Sequence, residues 1–124
     1  MTYKEEDLQN IVLEILTTSV TRKMGIGVTF ETSDEEDAFF RVLVNDVLVA
    51  KLNPHLLYLE PMSNKSFSVH FQDYPIGRIK LSGRKTYIQV LKGMGGAKQY
   101  YDLTLEEYIS HIPFWVKHIK YCLK

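Results

Sequence analysis

A run of basic residues without an acid lies between Tyr74 and Tyr101 and holds the chain's main candidates for a binding surface. Period-two spacing predicts a hairpin over residues 76–92, with two cations, a tyrosine and a glutamine on its exposed side and two further cations at its tip. Cations beside an aromatic ring can hold phosphates and stack a base, or steer an acidic protein partner. The alternative is a solvated strand face. The predicted partner-binding residues are Arg78, Lys80, Arg84, Lys85, Tyr87, Gln89, Lys92 and Lys98.

A glycine-rich stretch, residues 93–96, separates Lys92 from Lys98. Its free backbone amides could face an anion. It does not have the Gly-Lys-Ser/Thr ending of a phosphate-binding P-loop, and no helix is predicted to follow it. The alternative is that the stretch is a flexible connection between two strands. Anion binding by these residues is therefore part of the nucleic-acid or nucleotide-phosphate hypothesis only.

Three side chains near the carboxyl terminus are weak candidates for zinc ligands: His111, His118 and Cys122. On an unbroken helix the three side chains would lie at similar angles, along one edge of the apolar face. A kink at Pro113 would change the angular position of His111 relative to the other two. Ligands from one helix also do not complete a tetrahedral site. We therefore expect no metal and no other cofactor, and interpret the cysteine as buried and the histidines as interfacial.

Residues 31–37 contain five carboxylates in seven positions. They lack the alternating spacing and central glycine of an EF-hand loop, so the sequence predicts a solvated hairpin loop. As a secondary contact for a basic partner surface, this loop would offer Asp34, Glu35, Glu36 and Asp37.

Catalytic motifs are missing from the sequence. There is no Ser-His-Asp order, nucleophile elbow or HExxH pattern. No general acid, base and nucleophile can be grouped from spacing alone. We therefore expect a protein that is not an enzyme.

The elements that must position these residues follow from periodicity. Residues 3–23 have helical spacing, with Thr2 and Glu5 matching a capping box and Gly25 suited to the helix end. A second helix is predicted to begin at the capping box of Thr104 and Glu107, and to be kinked or broken at Pro113. Between the helices the period changes to two and predicts six to eight strands: 26–32, 38–44, 47–52, 56–60, 67–72, 76–82, 86–92 and a weaker one at 97–102.

Short connections between these strands favour an antiparallel meander, with a tight turn at Asn45-Asp46. The sequence therefore predicts a single α+β domain over residues 1–124, with the helices on one sheet face. The predicted hairpin 38–52 is apolar on both sides. The second sheet face would then need a cover, either the curled sheet itself or another chain.

Composition excludes several classes of protein. The 124 residues are 45% hydrophobic with zero formal net charge and one cysteine, which excludes a disordered chain and a disulfide scaffold. No apolar run is long enough for a membrane span and no signal-peptide pattern appears, so we expect a cytoplasmic protein with no membrane partner.

The zero net charge hides a strong asymmetry. Residues 1–62 contain five bases and eleven acids, a net of −6, whereas residues 63–124 contain ten bases and four acids, a net of +6. We therefore expect a small non-enzymatic protein that binds another protein, such as an inhibitor, an immunity-type protein or a regulator carried by a mobile element. The alternatives are a nucleic-acid or nucleotide-phosphate binder that uses residues 76–92 and 93–96, and a self-associating structural subunit.

Overall fold

A computed structural model describes residues 3–92 and 95–124 and shows an α+β architecture. Two helices come first, a five-stranded sheet follows, and two short helices close the chain. The elements are α1 Glu5–Met24, α2 Asp34–Val49, β1 Leu57–Pro61, β2 Phe67–Phe71, β3 Tyr74–Lys80, β4 Tyr87–Lys92, β5 Gly96–Tyr101, α3 Leu105–Ile109 and α4 Ile112–Cys122. A single 3-10 turn, Pro54–Leu56, precedes β1.

Helix α1 has the predicted position. It ends at Gly25, where φ is +101° and the backbone N–H donates to the carbonyl of Thr21. A side chain would be strained there, which explains the glycine. Its amino-terminal neighbour is Lys4, which makes no side-chain cap, and the proposed capping residue Thr2 lies outside the described residues.

Helix α2 replaces a hairpin that the sequence predicted. Three predictions for this part of the chain are therefore wrong: the strands at 38–44 and 47–52, the turn at Asn45-Asp46, and the hairpin loop at 31–37. Ser33 Oγ accepts from the backbone N–H of Glu36 at 3.1 Å, while the Glu36 carboxylate accepts from the N–H of Ser33 at 2.8 Å. This capping box starts the helix, and the helix dipole favours the carboxylates of its first turn.

The sheet is an antiparallel meander with strand order β1-β2-β3-β4-β5. It has five strands rather than six to eight, and they correspond to the last five predicted ones. Between Val69 and His70 the β2–β3 register shifts, so Ile76 is an extra residue on β3. The predicted strand at 26–32 is also wrong, because these residues belong to no helix or strand.

One face of the sheet is buried beneath the helices. Its strand residues, together with the inner faces of the helices, form one core. The apolar residues of 38–49 belong to α2, with Phe39, Leu43 and Val47 fully buried. The prediction of a second apolar sheet face is therefore wrong. Buried strand residues on the helix side are Leu57, Leu59, Phe67, Val69, Phe71, Ile76, Ile79, Ile88 and Val90.

Helix α1 also protects the edge of the sheet at β1. The buried hydroxyl of Ser19 accepts a hydrogen bond from the backbone N–H of Leu59 at 3.0 Å. An edge strand with unpaired donors could pair with another chain, and α1 blocks that route. This contact brings the last turn of α1 to the border between the two faces of the sheet.

The carboxyl-terminal region confirms the predicted break at Pro113. Thr104 and Glu107 form the expected capping box at the start of α3. Pro113 lies in the first turn of α4, where its missing N–H leaves no helical hydrogen bond unmade. Within residues 3–92 and 95–124, no helix combines the length and the apolar character that crossing a bilayer requires.

Candidate functional site

The sheet face opposite the helices carries polar and aromatic side chains, and we call it the open face. Cross-strand partners place these residues side by side: Tyr58 faces His70, Ser68 faces Arg78, and Tyr87 faces Tyr101. All are at least partly exposed. The open face consists of Tyr58, Glu60, Ser68, His70, Arg78, Lys80, Tyr87, Gln89, Gln99 and Tyr101.

Four of the predicted partner-binding residues come together in the middle of this face. Arg78 lies opposite Gln89 and Lys80 opposite Tyr87, so the predicted hairpin and its exposed side are confirmed. Alternation along the two strands was enough to predict that these four residues share one face.

The sequence Ser82-Gly83-Arg84-Lys85 predicts a tight turn at the tip of the hairpin, but the loop is wider, since β3 ends at Lys80 and β4 begins at Tyr87. The Lys80 ammonium reaches into this loop and donates to the carbonyl of Arg84 at 2.6 Å. Lys85 has a left-handed backbone, with φ of +57°. Arg84 and Lys85 are exposed at the end of the open face.

Two other predicted residues lie on the helix side of the sheet. Lys98 faces Val90 in the register, and its ammonium lies 5.2 Å from the ring centroid of Tyr100. Lys92 borders a groove beside Phe114 of α4. These two lysines therefore do not join the other six. Gly93 and Met94 of the proposed anion loop lie outside the described residues.

A polar cluster at the β1 end of the open face was not singled out from the sequence. Helix α1 contributes two of its members, because its last turn lies at the sheet edge. The Arg22 guanidinium carbon is 4.4 Å from the ring centroid of Tyr58, a cation–π contact, and Lys23 forms an ion pair with Glu60. The members of the polar cluster are Arg22, Lys23, Tyr58, Glu60, Ser68 and His70.

Protonation states in the polar cluster follow from these contacts. The hydrogen bond from Lys23 lowers the pKa of Glu60, and the same contact raises the pKa of Lys23. Burial lowers the pKa of His70 below its ordinary 6.5. The positive charges of Arg22 and Arg78 lower this pKa further, whereas the negative charge of Glu60 raises it. The imidazole is therefore neutral at pH 7, while the carboxylate and the ammonium are charged.

The geometry of the polar cluster does not match that of a Ser-His-acid triad. Ser68 Oγ lies 3.1 Å from His70 Nε2, and Glu60 Oε1 lies 3.7 Å from the same nitrogen. A catalytic triad needs the carboxylate on the opposite ring nitrogen, where it orients the imidazole. Here the hydroxyl and the carboxylate compete for one nitrogen.

The balance of charge on the open face is positive. Six cations lie on it or at its borders, and Lys23 already neutralises Glu60. The remaining cations could contact a carboxylate or phosphate of a partner. The six cations are Arg22, Lys23, Arg78, Lys80, Arg84 and Lys85, and all except Lys23 are the remaining ones.

Part of the polar cluster could have been found from the sequence. Alternation along β2 already puts Ser68 and His70 on the side away from the core. Arg22 and Lys23 could not have been assigned, because their position depends on the contact between α1 and β1, which pairs residues 40 positions apart.

The weak metal candidates and the acidic residues occupy separate places. His118 Nε2 lies 3.5 Å from Cys122 Sγ, while His111 Nδ1 lies 2.7 Å from the carbonyl of Glu107. Among the described residues, no three His, Cys, Asp or Glu side chains are grouped as metal ligands would be. Burial raises the pKa of the Cys122 thiol, which disfavours the thiolate that a metal needs.

The proposed secondary contact lies in the first turn of α2. Glu36 is buried in the capping box and is not free to contact a partner. Asp37 accepts a hydrogen bond from the hydroxyl of Thr32. Asp34 and Glu35 are exposed.

Comparison of the chain with protein-family models, with curated proteins and with solved structures found no match.

Proposed function

We propose that this protein is a non-enzymatic binding protein that holds an acidic protein partner on its open face, in the manner of an inhibitor or regulator. The observation that carries the proposal is the side-by-side placement of aromatic rings and cations on a sheet face opposite the helices. Lys80, Tyr87 and Tyr101 occupy successive register positions across three strands.

The tyrosines supply the anchors of the proposed interface. The Tyr87 and Tyr101 ring centroids are 6.0 Å apart, and Tyr101 is 54% exposed. Tyrosine combines a large rigid apolar surface with a hydroxyl, and tyrosine and arginine are enriched among residues that dominate binding energy. In this proposal Tyr87, Tyr101 and Arg78 form the centre of the contact.

The cations supply steering and register. Arg84 and Lys85 extend beyond the sheet at the hairpin tip, where a partner's field would act on them first. Rim charges of this kind change mainly the association rate and its dependence on salt. The proposed partner therefore carries a patch of carboxylates.

The experiment is affinity capture from an extract of the source cells with cross-linking and mass spectrometry. It compares the wild type, Arg84→Glu/Lys85→Glu and Tyr87→Ala with the control Lys117→Glu/Lys120→Glu, which makes the same charge change on exposed residues of α4. We expect a protein captured by the wild type and the control and lost from both open-face variants. Circular dichroism checks that every variant is folded. A partner retained equally by all four proteins contradicts the proposal.

Single-stranded nucleic acid is the second candidate, favoured by the Tyr87–Tyr101 pair beside Arg78 and Lys80. Successive bases stack on such rings while cations contact the phosphates, and the affinity falls steeply with salt. The probe is a fluorescent oligonucleotide titrated at several salt concentrations. Binding that weakens with salt and is lost in Tyr87→Ala supports this candidate. Absence of binding at low salt removes it.

A further inference from the structure

The two edges of the sheet differ in their cover. At β1 the Ser19 hydroxyl of α1 accepts a hydrogen bond from the backbone N–H of Leu59. At the other edge, β5 has β4 as its only strand neighbour within the part of the chain that the structure describes. All the residues of β5 except Tyr100 are exposed. The β5 edge is therefore accessible to another chain.

The outward-facing backbone groups of β5 can be assigned from its pairing with β4. The N–H of Asp102 donates to the carbonyl of Thr86 at 3.1 Å, in continuation of the β4–β5 register. In an antiparallel pair the hydrogen-bonded positions alternate along each strand. The even-numbered residues of β5 therefore bond to β4, while Ala97, Gln99 and Tyr101 direct their N–H and carbonyl groups away from the sheet.

Strand β5 lacks most of the features that keep an edge strand from pairing. Its sequence, Gly-Ala-Lys-Gln-Tyr-Tyr, contains no proline, and its register with β4 has no bulge. Lys98 is its only charged residue and lies on the helix side. A row of alternating donors and acceptors is satisfied by a second extended strand, rather than by a helix or a small ligand.

We propose that β5 pairs with β5 of a second copy, antiparallel and about a two-fold axis at Gln99, so that the two sheets become one continuous sheet. This register uses all three outward-facing residues of each copy. Gln99 pairs with Gln99 of the second copy, and Ala97 pairs with Tyr101. The small side chain of Ala97 leaves room for the tyrosine ring opposite it, and a two-fold interface requires such self-complementarity.

Charge complementarity supports a second copy as the occupant. Lys98, and Asp102 directly after β5, form no ion pair with another described residue. In the two-fold register Asp102 of one copy lies diagonally across from Lys98 of the other, and long side chains interact at that spacing. The two Lys98 side chains, which also approach each other near the axis, are thereby matched by two carboxylates.

Pairing through β5 closes at two copies, because α1 covers the β1 edge of each sheet. Antiparallel pairing about a two-fold axis places that axis perpendicular to the sheet. The open faces of both copies therefore lie on the same side and form one surface across the two β5 strands. This inference is independent of the acidic partner proposed above.

Sedimentation equilibrium over a concentration series tests the proposal, and the wild type is expected to show a reversible monomer–dimer equilibrium. Gln99→Pro removes an outward-facing N–H and leaves the hydrogen bonds to β4 in place, since proline is tolerated at such edge positions. The donor is lost from both copies, so association should weaken by roughly tenfold or more. Gln99→Ala keeps the N–H and is the matched control, expected to dimerise. Circular dichroism checks that both variants are folded.

Amide hydrogen exchange tests the same contact without any variant. In the dimer the N–H groups of Ala97, Gln99 and Tyr101 should become protected as the protein concentration rises. The N–H groups of Lys98 and Tyr100 bond to β4 and should be protected at every concentration. Rapid exchange of the three outward-facing amides at all concentrations overturns the proposal.

A disulfide test identifies the occupant directly. Gln99→Cys is made in a Cys122→Ser background and oxidised mildly, beside the control Gln89→Cys on β4 of the same face. A cross-linked dimer formed by Gln99→Cys and not by the control supports the proposal. A monomer at every concentration overturns it, and so does a dimer that Gln99→Pro leaves intact. A monomer whose captured protein partner is lost in Gln99→Pro also overturns it and assigns the β5 edge to a strand of that partner.

Discussion

The indole of Trp115 lies on the backbone of Gly77, and this contact joins α4 to the centre of the sheet. Trp115 Nε1 donates to the carbonyl of Gln89 at 2.9 Å. A Cβ at position 77 would lie 2.6 Å from that nitrogen and 2.2 Å from the same carbonyl oxygen. Glycine is therefore required there by the close approach of the Gln89 carbonyl and the Trp115 indole, rather than by a turn.

Gly77→Ala should destabilise the protein by about 1–3 kcal/mol, because the methyl group forces the indole or the β4 backbone to move. Urea denaturation followed by Trp115 fluorescence measures the change. Gly96→Ala is the control, since the nearest atom to its Cβ would be 3.6 Å away. Equal stability of Gly77→Ala and the wild type would show that the sheet accommodates the methyl group freely.

Ser19→Ala should cost about 1–3 kcal/mol, because the N–H of Leu59 would be left without its acceptor at a buried site. The measurement is chemical denaturation, combined with hydrogen exchange at the Leu59 amide. Thr18→Ala alters the adjacent exposed residue and serves as the control. If exchange at Leu59 is unchanged in Ser19→Ala, α1 does not protect the β1 edge through this contact.

Ser33→Ala should lower the stability by about 1 kcal/mol, because it removes the hydroxyl that caps α2. Amide exchange at Glu36 should accelerate more than exchange in the middle of α2. Ser63→Ala, at an exposed turn position, is the matched control. A loss of stability without faster exchange at Glu36 would place the effect elsewhere.

Stability should depend on pH through His70. Its folded-state pKa is below 6.5, so between the two values the unfolded chain binds a proton that the folded chain does not. Stability is therefore expected to fall as the pH decreases through 6.5 and to level off below the folded-state pKa. The groups that face the imidazole are Tyr58, Glu60, Ser68, Arg22 and Arg78.

Urea denaturation above and below pH 6.5 measures this dependence. His70→Gln removes the group whose pKa is lowered and should therefore reduce this dependence. The same slope in His70→Gln and the wild type would assign the titration to another group.

Sequence patterns predicted the sheet well and the second helix badly, for a physical reason. Residues 67–71 (Phe-Ser-Val-His-Phe) alternate strictly between apolar and polar side chains, a pattern that predicts a strand. In α2, Phe40, Val42 and Val44 also alternate, while Phe39, Leu43 and Val47 have helical spacing. Several valines favoured the strand interpretation. The capping box of Ser33 and Glu36 was the local signal for a helix.

The candidate site was predictable only where it lies within one hairpin. Arg78, Lys80, Tyr87 and Gln89 are neighbours through local pairing, so alternation alone places them together. The polar cluster joins residues from α1, β1 and β2, and no local pattern reports on that packing. Lys92 and Lys98 were grouped with these residues in the sequence, but alternation along β4 and β5 places both on the helix side of the sheet.

The contact between Ser19 and Leu59 has a consequence for the order of folding. Each strand of the meander pairs with its neighbour in the chain, so the hairpins close over short loops. Docking α1 on β1 joins residues 40 positions apart and carries a larger loss of chain entropy. We therefore expect the sheet to form before its β1 edge is covered. During that interval newly made chains can pair through β1, so aggregation at this edge is a hazard of synthesis and refolding rather than of the finished protein.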